Sequence, residues 1–187
     1  RWTGLVKDNV GYDLVGLLAG SEGTLGVVTR ALMRLVTQPA HVHVVLVGVR
    51  SLAAATEALA GVRRSGLTIE AAEYFHADGL ELVRSRLGLR APFSGDHPTY
   101  LLVETSGGTE TDVLDALSGL GSLVGDATVE AGAGSRLWAY REGHTEAISA
   151  AAVSRGGAPL KVDVAVPLRR LAAFEAAVRD RIGERFP

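Results

Sequence analysis

From residue 41 to residue 184 the sequence alternates between short strand-like runs and helical spacing, which limits the fold more than any other feature. Leu52, Ala55 and Leu59 recur at the spacing of one helix face, whereas residues 41–49 form an apolar run typical of a strand. The same signals predict strands at residues 41–49, 68–75, 99–105, 126–131 and 160–166. They predict further helices near residues 77–87, 110–120, 135–152 and 168–184.

The predicted strand at residues 160–166 alternates cleanly along its length. Leu160, Val162 and Val164 fall on one side, and Lys161 and Asp163 fall on the other. Alternation of this kind is typical of an antiparallel sheet that helices cover on one face. We therefore expect an α+β fold, an antiparallel ferredoxin-like sheet covered by helices, and not a doubly wound parallel sheet.

The first 38 residues have a different texture. Six glycines interrupt their short apolar runs, at positions 4, 11, 16, 20, 23 and 26. Pro39 marks a boundary, so we expect one domain segment at residues 1–38 and a second domain at residues 39–187. Because the sequence starts with Arg1 and not with methionine, we also expect it to be part of a longer protein.

Composition removes several classes of partner. Nineteen Lys and Arg residues against 21 Asp and Glu residues leave a net charge of −2, which gives no electrostatic reason to expect nucleic acid or an anionic membrane. The absence of cysteine excludes disulfides and thiolate chemistry and is compatible with a cytoplasmic location. No apolar run approaches the roughly 20 residues of a transmembrane helix.

A glycine-rich stretch at residues 20–29 is the most specific motif. Gly20, Gly23 and Gly26 make backbone amides accessible, and Ser21 and Thr24 add small hydroxyls, which together suit a polar cofactor. A glycine-rich loop that binds nothing explains the same chemistry equally well. The spacing fits neither a Walker loop nor a Rossmann fingerprint.

Arg141 falls inside the apolar arc of the helix predicted at residues 135–152. A guanidinium in that position needs a partner, because an unpaired buried charge is too costly. Thr145 lies one turn further on the same face, and Lys161 could join them to form a receptor for a small carboxylate. The alternatives are structural ion pairs, for Lys161 with Asp163 and for Arg141 with one of three glutamates, Glu142, Glu146 or Glu104.

The histidines give weaker signals. His41 and His43 project from one face of a strand at a spacing that can hold a divalent metal, but a third ligand is not evident. The favoured interpretation is that both histidines are ordinary polar residues on a half-exposed strand. His144 lies one turn from Arg141 and could reach a substrate, although a packing role is favoured.

Two stretches of the opening segment resemble a known family. Lys7 to Leu14 reads K-D-N-V-G-Y-D-L, and Gly20 to Thr29 reads G-S-E-G-T-L-G-V-V-T. They resemble the end of the FAD-binding domain in vanillyl-alcohol-oxidase-type flavoproteins, in the D-lactate, glycolate and D-2-hydroxyglutarate dehydrogenase branch. Val10 departs from the threonine that is common there. The resemblance implies cofactor-side positions at Lys7, Asn9, Gly20, Ser21, Glu22, Gly23, Thr24, Gly26 and Val27.

Two later stretches resemble the same branch. Residues 137–147 look like its L-W-x-x-R-E-x-x-T-E-A segment, and residues 161–167 look like its K-x-D-(V/L)-(S/A)-(V/L)-P strand. In D-2-hydroxyglutarate-type members the arginine, threonine and lysine of these motifs bind the substrate carboxylate. The resemblance therefore implies substrate-binding roles for Arg141, Thr145 and Lys161.

The function implied by the resemblance belongs to a longer parent protein. That protein would oxidise a D-2-hydroxy acid, similar to 2-hydroxyglutarate or lactate, by hydride transfer to FAD, with an electron acceptor that the sequence does not identify. The family's upstream pyrophosphate loop and its downstream H-x-H-x-x-D-G-N-like segment, which supplies a metal ligand and the catalytic base, are not found here. We therefore expect no catalytic residue, no bound FAD and no turnover in these 187 residues alone.

Three points stay open at this stage. The parent protein could use a divalent metal whose ligands lie outside this chain, and it could form a homodimer. The competing interpretation of the sequence is a non-catalytic α+β module that binds a small anion or mediates self-association.

Overall fold

The computed structural model describes residue 7, residues 10–132 and residues 135–185. The chain divides into two compact units, Arg1–Gln38 and Pro39–Pro187. Seven α-helices lie in the described residues: α1 (Leu14–Leu18), α2 (Leu52–Arg64), α3 (Ala77–Leu87), α4 (Glu110–Ser118), α5 (Ala139–Glu142), α6 (His144–Ser154) and α7 (Leu171–Arg185). Single turns of 3₁₀ helix occupy Gly121–Leu123, Arg136–Trp138 and Leu168–Arg170.

The second unit is built on one antiparallel sheet. Its strands are β1 (Val42–Val49), β2 (Thr68–His76), β3 (Thr99–Ser106) and β4 (Asp126–Ala131), and their order across the sheet is β2-β3-β1-β4. Every neighbouring pair is antiparallel. This is the strand order of a split βαβ ferredoxin-like fold, with α3 as an extra helix between β2 and β3. The predicted α+β class is confirmed.

The expectation of one covered face is wrong, because helices cover both faces of the sheet. Val45 of β1 and Val103 of β3 face each other in the register and pack under α2 and α4. Leu46 and Leu102, also directly opposed, belong to a second apolar cluster on the other face that includes Leu80 of α3. The physical reason is visible in β1, whose apolar residues occupy both odd and even positions and must be buried on both sides.

The strand predicted at residues 160–166 is also wrong, since this segment is irregular. Leu160, Val162 and Val164 are 91%, 72% and 57% exposed. Alternation shows that a segment could be a strand, but a strand also needs a hydrogen-bonded neighbour. Within the described ranges, the sheet pairs only the four strands named above, so residues 160–166 have no such neighbour.

The helix predicted at residues 135–152 is interrupted. A 3₁₀ turn begins it, and α5 ends at Glu142 before α6 starts at His144. Between them, Gly143 packs so closely on α3 that a Cβ would lie 2.8 Å from Val83 Cγ1 and 2.9 Å from Leu87 Cδ1. The glycine thus lets α6 approach α3, and this approach shapes the site described below.

The first unit is small and largely solvent-exposed in its described residues. Among its described residues it has one helix, α1, which Asp13 caps: the Asp13 carboxylate accepts a hydrogen bond of 2.9 Å from the amide of Gly16. No helix in the described parts of either unit combines the length and the apolar character needed to cross a membrane.

Candidate functional site

A cleft of about 590 Å³ lies beside the edge strand β2 and is lined by residues of β2, α3, α5, α6 and α7 and of the segment around Lys161. Its floor comes from the end of β2, including Phe75 and His76, and one wall comes from the start of α3. The opposite wall comes from α5, α6 and the segment around Lys161, and Arg179 of α7 lies at its rim. All of these elements belong to the second unit.

The three residues predicted to bind a carboxylate all line this cleft. Arg141 and Thr145 are four residues apart, across the α5–α6 junction, and therefore share a face. Lys161 reaches the same cleft from the irregular segment, so its placement does not depend on a strand at residues 160–166. Arg141 is half-buried, whereas Thr145 and Lys161 are exposed to the cleft opening.

Arg141 does have a carboxylate partner, but it is Glu73 and none of the three glutamates considered from the sequence. The Nε of Arg141 donates to Glu73 Oε2 over 2.9 Å. Glu146 instead pairs with Arg86 at 3.0 Å, and Glu104 accepts a hydrogen bond from Trp138. Glu73 engages Nε, and among the described residues the two terminal nitrogens of the guanidinium have no hydrogen-bond partner, so they can donate to a second anion.

The alternative pairing of Lys161 with Asp163 is not seen. Among the described residues, no carboxylate oxygen lies within 4 Å of the Lys161 ammonium. The Lys161 ammonium, the Arg141 guanidinium and the Thr145 hydroxyl line the same cleft, and donors of these types can bind a small carboxylate.

His144 lines the same cleft as a neutral imidazole, and its ring lies 5.1 Å from the ring of Phe75. Its Nδ1 lies 3.1 Å from the carbonyl oxygen of Arg141, which can only accept, so Nδ1 carries the proton. Its Nε2 is buried without a partner in the described structure, and a Cβ on Gly79 would lie 2.7 Å from it. Burial lowers the pKa of His144, and the Arg141 charge lowers it further. The packing role favoured from the sequence fits this geometry.

We expect His144 to make the fold less stable in mild acid. Its folded-state pKa lies below the ordinary value of 6.5, so the unfolded chain takes up the proton first. The stability that depends on a neutral His144 is complete above about pH 6.5 and is lost as the pH falls below that value. The free energy of unfolding changes there by at most about 1.4 kcal/mol per pH unit. Urea unfolding between pH 5 and pH 8 should show a shallower slope for His144→Asn, whose amide can replace the Nδ1 donor.

The exposed His41 supplies the matched control for that measurement. His41→Asn should keep the pH slope of the unmodified chain. Equal slopes for His144→Asn and the unmodified chain would contradict the assignment of a buried neutral imidazole.

Sequence reasoning missed three further residues that line the cleft, Tyr74, His76 and Arg179, and the carboxylate of Glu175 that contacts two of them. Arg179 Nε donates to Glu175 Oε1 over 2.8 Å, and His76 Nε2 lies 2.5 Å from the same oxygen. Burial, and then the Glu175 carboxylate, raise the pKa of Tyr74. The i,i+4 spacing of Glu175 and Arg179 was a readable signal, but nothing local linked them to β2.

His41 and His43, which the sequence placed on one strand face, differ in burial. His43 is 5% exposed and its Nδ1 has no partner in the described structure, whereas His41 is exposed. Within the described ranges, no three His, Asp or Glu side chains lie close enough together to hold a metal ion.

The glycine-rich stretch of the first unit forms a tight exposed turn. Positive φ angles occur at Gly20 (82°), Glu22 (49°) and Gly23 (80°), and the amide and hydroxyl of Thr24 both donate to the Ser21 carbonyl. In the described structure, the amides of Glu22, Gly23 and Gly26 donate to no backbone carbonyl.

These open amides and the exposed Val27 side chain, 85% accessible, fit a cofactor with polar groups and an apolar ring. Lys7 is exposed as well. Asn9, the remaining predicted cofactor residue, lies outside the described residues.

Comparison with known proteins places these features in context. Residues 38–186 match the family described as FAD linked oxidases, C-terminal domain. The mitochondrial D-2-hydroxyglutarate dehydrogenase of Bos taurus is 36% identical, over 97% of this chain and 34% of its own. A D-2-hydroxyglutarate dehydrogenase of Xanthomonas citri pv. viticola is 33% identical, over 98% of this chain and 39% of its own.

A more distant relative carries another name. A putative mitochondrial D-lactate dehydrogenase of Schizosaccharomyces pombe is 32% identical, over 88% of this chain and 32% of its own. The chain thus spans about a third of the length of the curated relatives that it matches.

Proposed function

The chain belongs to the family of FAD linked oxidases, C-terminal domain, and on that premise we propose that it supplies the substrate-binding part of a D-2-hydroxy-acid dehydrogenase. The parent protein would oxidise a 2-hydroxyglutarate-like or lactate-like acid to the 2-oxo acid. Family membership and relatives named as dehydrogenases favour this enzyme over a non-catalytic anion-binding module.

One observation carries the proposal: Arg141, Thr145 and Lys161 meet in a single cleft. The guanidinium presents its terminal nitrogens in a planar fork that matches the two oxygens of a carboxylate. The Lys161 ammonium adds a second charge, and the Thr145 hydroxyl can donate to an oxygen that the fork leaves free. Such a receptor would fix the carboxylate of the acid and thereby orient its C2–H and C2–OH bonds.

The remaining chemistry is assigned to groups that this cleft does not contain. Bound FAD would supply the two-electron oxidising chemistry, as the acceptor of the hydride from C2 of the acid, and the open turn at Gly20 to Val27 would help to hold it. A base outside this chain would take the hydroxyl proton, so the residues of the cleft bind and orient the substrate. A divalent metal, with ligands outside the chain, is compatible with this scheme.

We further propose a division of labour between the two units. Residues 1–38 would form the end of the FAD-binding domain, with cofactor contacts from the open turn at Gly20 to Val27 and from Lys7 and Asn9. Residues 39–187 would form the substrate-binding cap domain. For location, a cytoplasmic parent protein remains a prediction, and the Bos taurus and Rattus norvegicus relatives are named as mitochondrial.

Replacement of Arg141 by Ala tests the proposal in the full-length flavoprotein. Charge-assisted hydrogen bonds contribute about 1.5–3 kcal/mol, so Arg141→Ala should raise KM for a D-2-hydroxy acid by roughly one to two orders of magnitude. Steady-state kinetics with D-2-hydroxyglutarate and D-lactate would measure the change. Arg141→Lys keeps the positive charge but lacks the planar guanidinium. Its KM should therefore lie between the KM of the unmodified enzyme and that of Arg141→Ala.

Arg86 provides a matched control on α3, because its ion pair with Glu146 is exposed and it does not line the cleft. Arg86→Ala should leave KM within about twofold of the unmodified enzyme, since exposed pairs contribute little. Unchanged kinetics for Arg141→Ala would remove Arg141 from the substrate site.

A further inference from the structure

Arg141 lies on an element that would not by itself fix the direction of its side chain. It belongs to α5, a helix of four residues, none of which is fully buried. A helix this short makes too few internal hydrogen bonds to keep its shape without contacts from outside. The arginine side chain also has several rotatable bonds. The direction of the guanidinium must therefore be set by another part of the fold.

Glu73 supplies that outside contact. Its Oε2 accepts a hydrogen bond of 2.9 Å from the Nε of Arg141, although the two residues are 68 positions apart in the sequence. Nε is the inner nitrogen of a planar guanidinium, so a hydrogen bond at Nε restricts rotation of the whole plane. The donors of the two terminal nitrogens are left for the cleft, which Arg141 lines.

The backbone of Glu73 is held by the packed sheet. Glu73 lies in β2, and its register partner in β3 is Leu102, which is 0% exposed. Two residues further along β2, the ring of the buried Phe75 stacks on that of Tyr100 at 5.5 Å. Glu73 thus connects the guanidinium of a short helix to the interior of the domain.

A carboxylate beside an anion-binding arginine has two opposing effects on binding. Its negative charge repels the anion, whereas its hydrogen bond orders the arginine before the anion arrives. The side chains of Arg141 and Glu73 are 36% and 40% exposed, so water and salt screen the repulsion. Ordering one long side chain in advance changes affinity by roughly two- to tenfold. The ordering effect is therefore the larger of the two.

We propose that Glu73 is a positioning residue, which holds Arg141 in its binding orientation before the substrate carboxylate arrives. The inference rests on the proposed function, because it assumes that Arg141 binds that carboxylate. Glu73 acts through Arg141 and does not itself contact the substrate. It lies on β2, outside the two motifs that contain Arg141, Thr145 and Lys161.

Steady-state kinetics of the full-length flavoprotein with D-2-hydroxyglutarate and D-lactate would test this role. Glu73→Ala should raise KM about fivefold and leave kcat within about twofold, because the ordered arginine binds the carboxylate alike in the ground state and the transition state. Glu73→Gln should keep KM within about twofold of the unmodified enzyme, since its amide oxygen can still accept from Nε. If Glu73→Ala does not fold, Glu73→Leu, which fills the space but accepts no hydrogen bond, should give the same rise in KM.

The double variant Arg141→Ala with Glu73→Ala separates positioning from a general structural role. Its KM should not exceed the KM of Arg141→Ala alone, because Glu73 then has no guanidinium to orient. A further rise of about fivefold in the double variant would show that Glu73 supports the fold and would overturn the inference. Equal rises for Glu73→Ala and Glu73→Gln, or a KM for Glu73→Ala at or below that of the unmodified enzyme, would overturn it as well.

Glu81 is the matched control, because it pairs with Arg84 at 2.8 Å on α3 and does not line the cleft. Glu81→Ala should keep KM within about twofold of the unmodified enzyme, and a rise as large as that of Glu73→Ala would contradict a specific role for Glu73. Arg141→Ala separates this inference from the proposed function. If Arg141→Ala leaves KM unchanged, the proposed receptor is wrong. If it raises KM and Glu73→Ala does not, only the role of Glu73 is wrong.

Discussion

Leu102→Ala should lower the free energy of unfolding by about 3–5 kcal/mol, the upper part of the range for a fully buried leucine. Leu102 is 0% exposed at the centre of β3 and faces Leu46, also 0% exposed, across the β1–β3 pair. It packs in the cluster that includes Phe75 and Tyr100, whose rings stack at 5.5 Å. Removing three carbon atoms there leaves a cavity. Because helices cover both faces of the sheet, the surrounding structure cannot move in to fill it.

Urea unfolding followed by circular dichroism would measure this change. Leu114→Ala is the matched control, because Leu114 lies on α4 and is 47% exposed, so its truncation should cost about 1 kcal/mol or less. Similar losses for the two variants would contradict the assignment of Leu102 to a closely packed interior.

Gly48→Ala should destabilise the domain on the order of 3 kcal/mol, because the His97 ring lies directly over Gly48. A Cβ on Gly48 would lie 2.1 Å from His97 Cδ2, and a Cβ on Gly125 would lie 2.6 Å from His97 Cε1. The ring cannot move aside without loss, since its Nε2 contacts Asp126 at 2.7 Å. An added methyl group therefore displaces the His97 ring and breaks its contact with Asp126.

Thermal unfolding of four variants would test this packing: the single changes Gly48→Ala and His97→Ala, their double variant, and Gly183→Ala. Gly183→Ala, in the interior of α7 with no atom near the added Cβ, should stabilise the chain by up to about 1 kcal/mol. The double variant Gly48→Ala with His97→Ala should lose less than the sum of the two single changes, because the clash is then absent. Strict additivity would show that His97 is not what excludes a side chain at Gly48.

Much of the fold could be predicted because its signals are local. The four observed strands lie within a residue or two of their predicted bounds, and the helices from α2 to α4 follow their apolar spacing. Those signals depend only on neighbours in the sequence, since side chains alternate along a strand and repeat every 3.6 residues along a helix. The α+β class followed from the same pattern.

The predictions that were wrong concern features that depend on contact with a second segment of the chain. The alternation at Leu160, Val162 and Val164 gave no information about a partner strand, and the interruption at Gly143 depends on Val83 and Leu87 of another helix. Residues 44–47 of β1 are four consecutive apolar residues, a pattern that indicates burial on both faces of the sheet. The alternation at residues 160–166 favours the opposite conclusion, a sheet covered on one face.

In the candidate site, too, the residues with local sequence signals could be predicted and their distant partners could not. Arg141 stood out in the sequence because a guanidinium on an apolar arc needs a partner, and the resemblance supplied the roles of Thr145 and Lys161. Glu73, 68 residues before Arg141, and Arg179 of α7 could be connected to the cleft only by the fold.

By itself the sequence determined the elements, the family and the residue types able to grip a carboxylate, because these follow from local periodicity and motif chemistry. Only the tertiary structure decided which glutamate holds Arg141, where Lys161 lies without a strand, and that a second arginine enters the same cleft. Those outcomes depend on distances between residues that are far apart in the chain. The hydrophobic packing of helices on both faces of one sheet sets these distances.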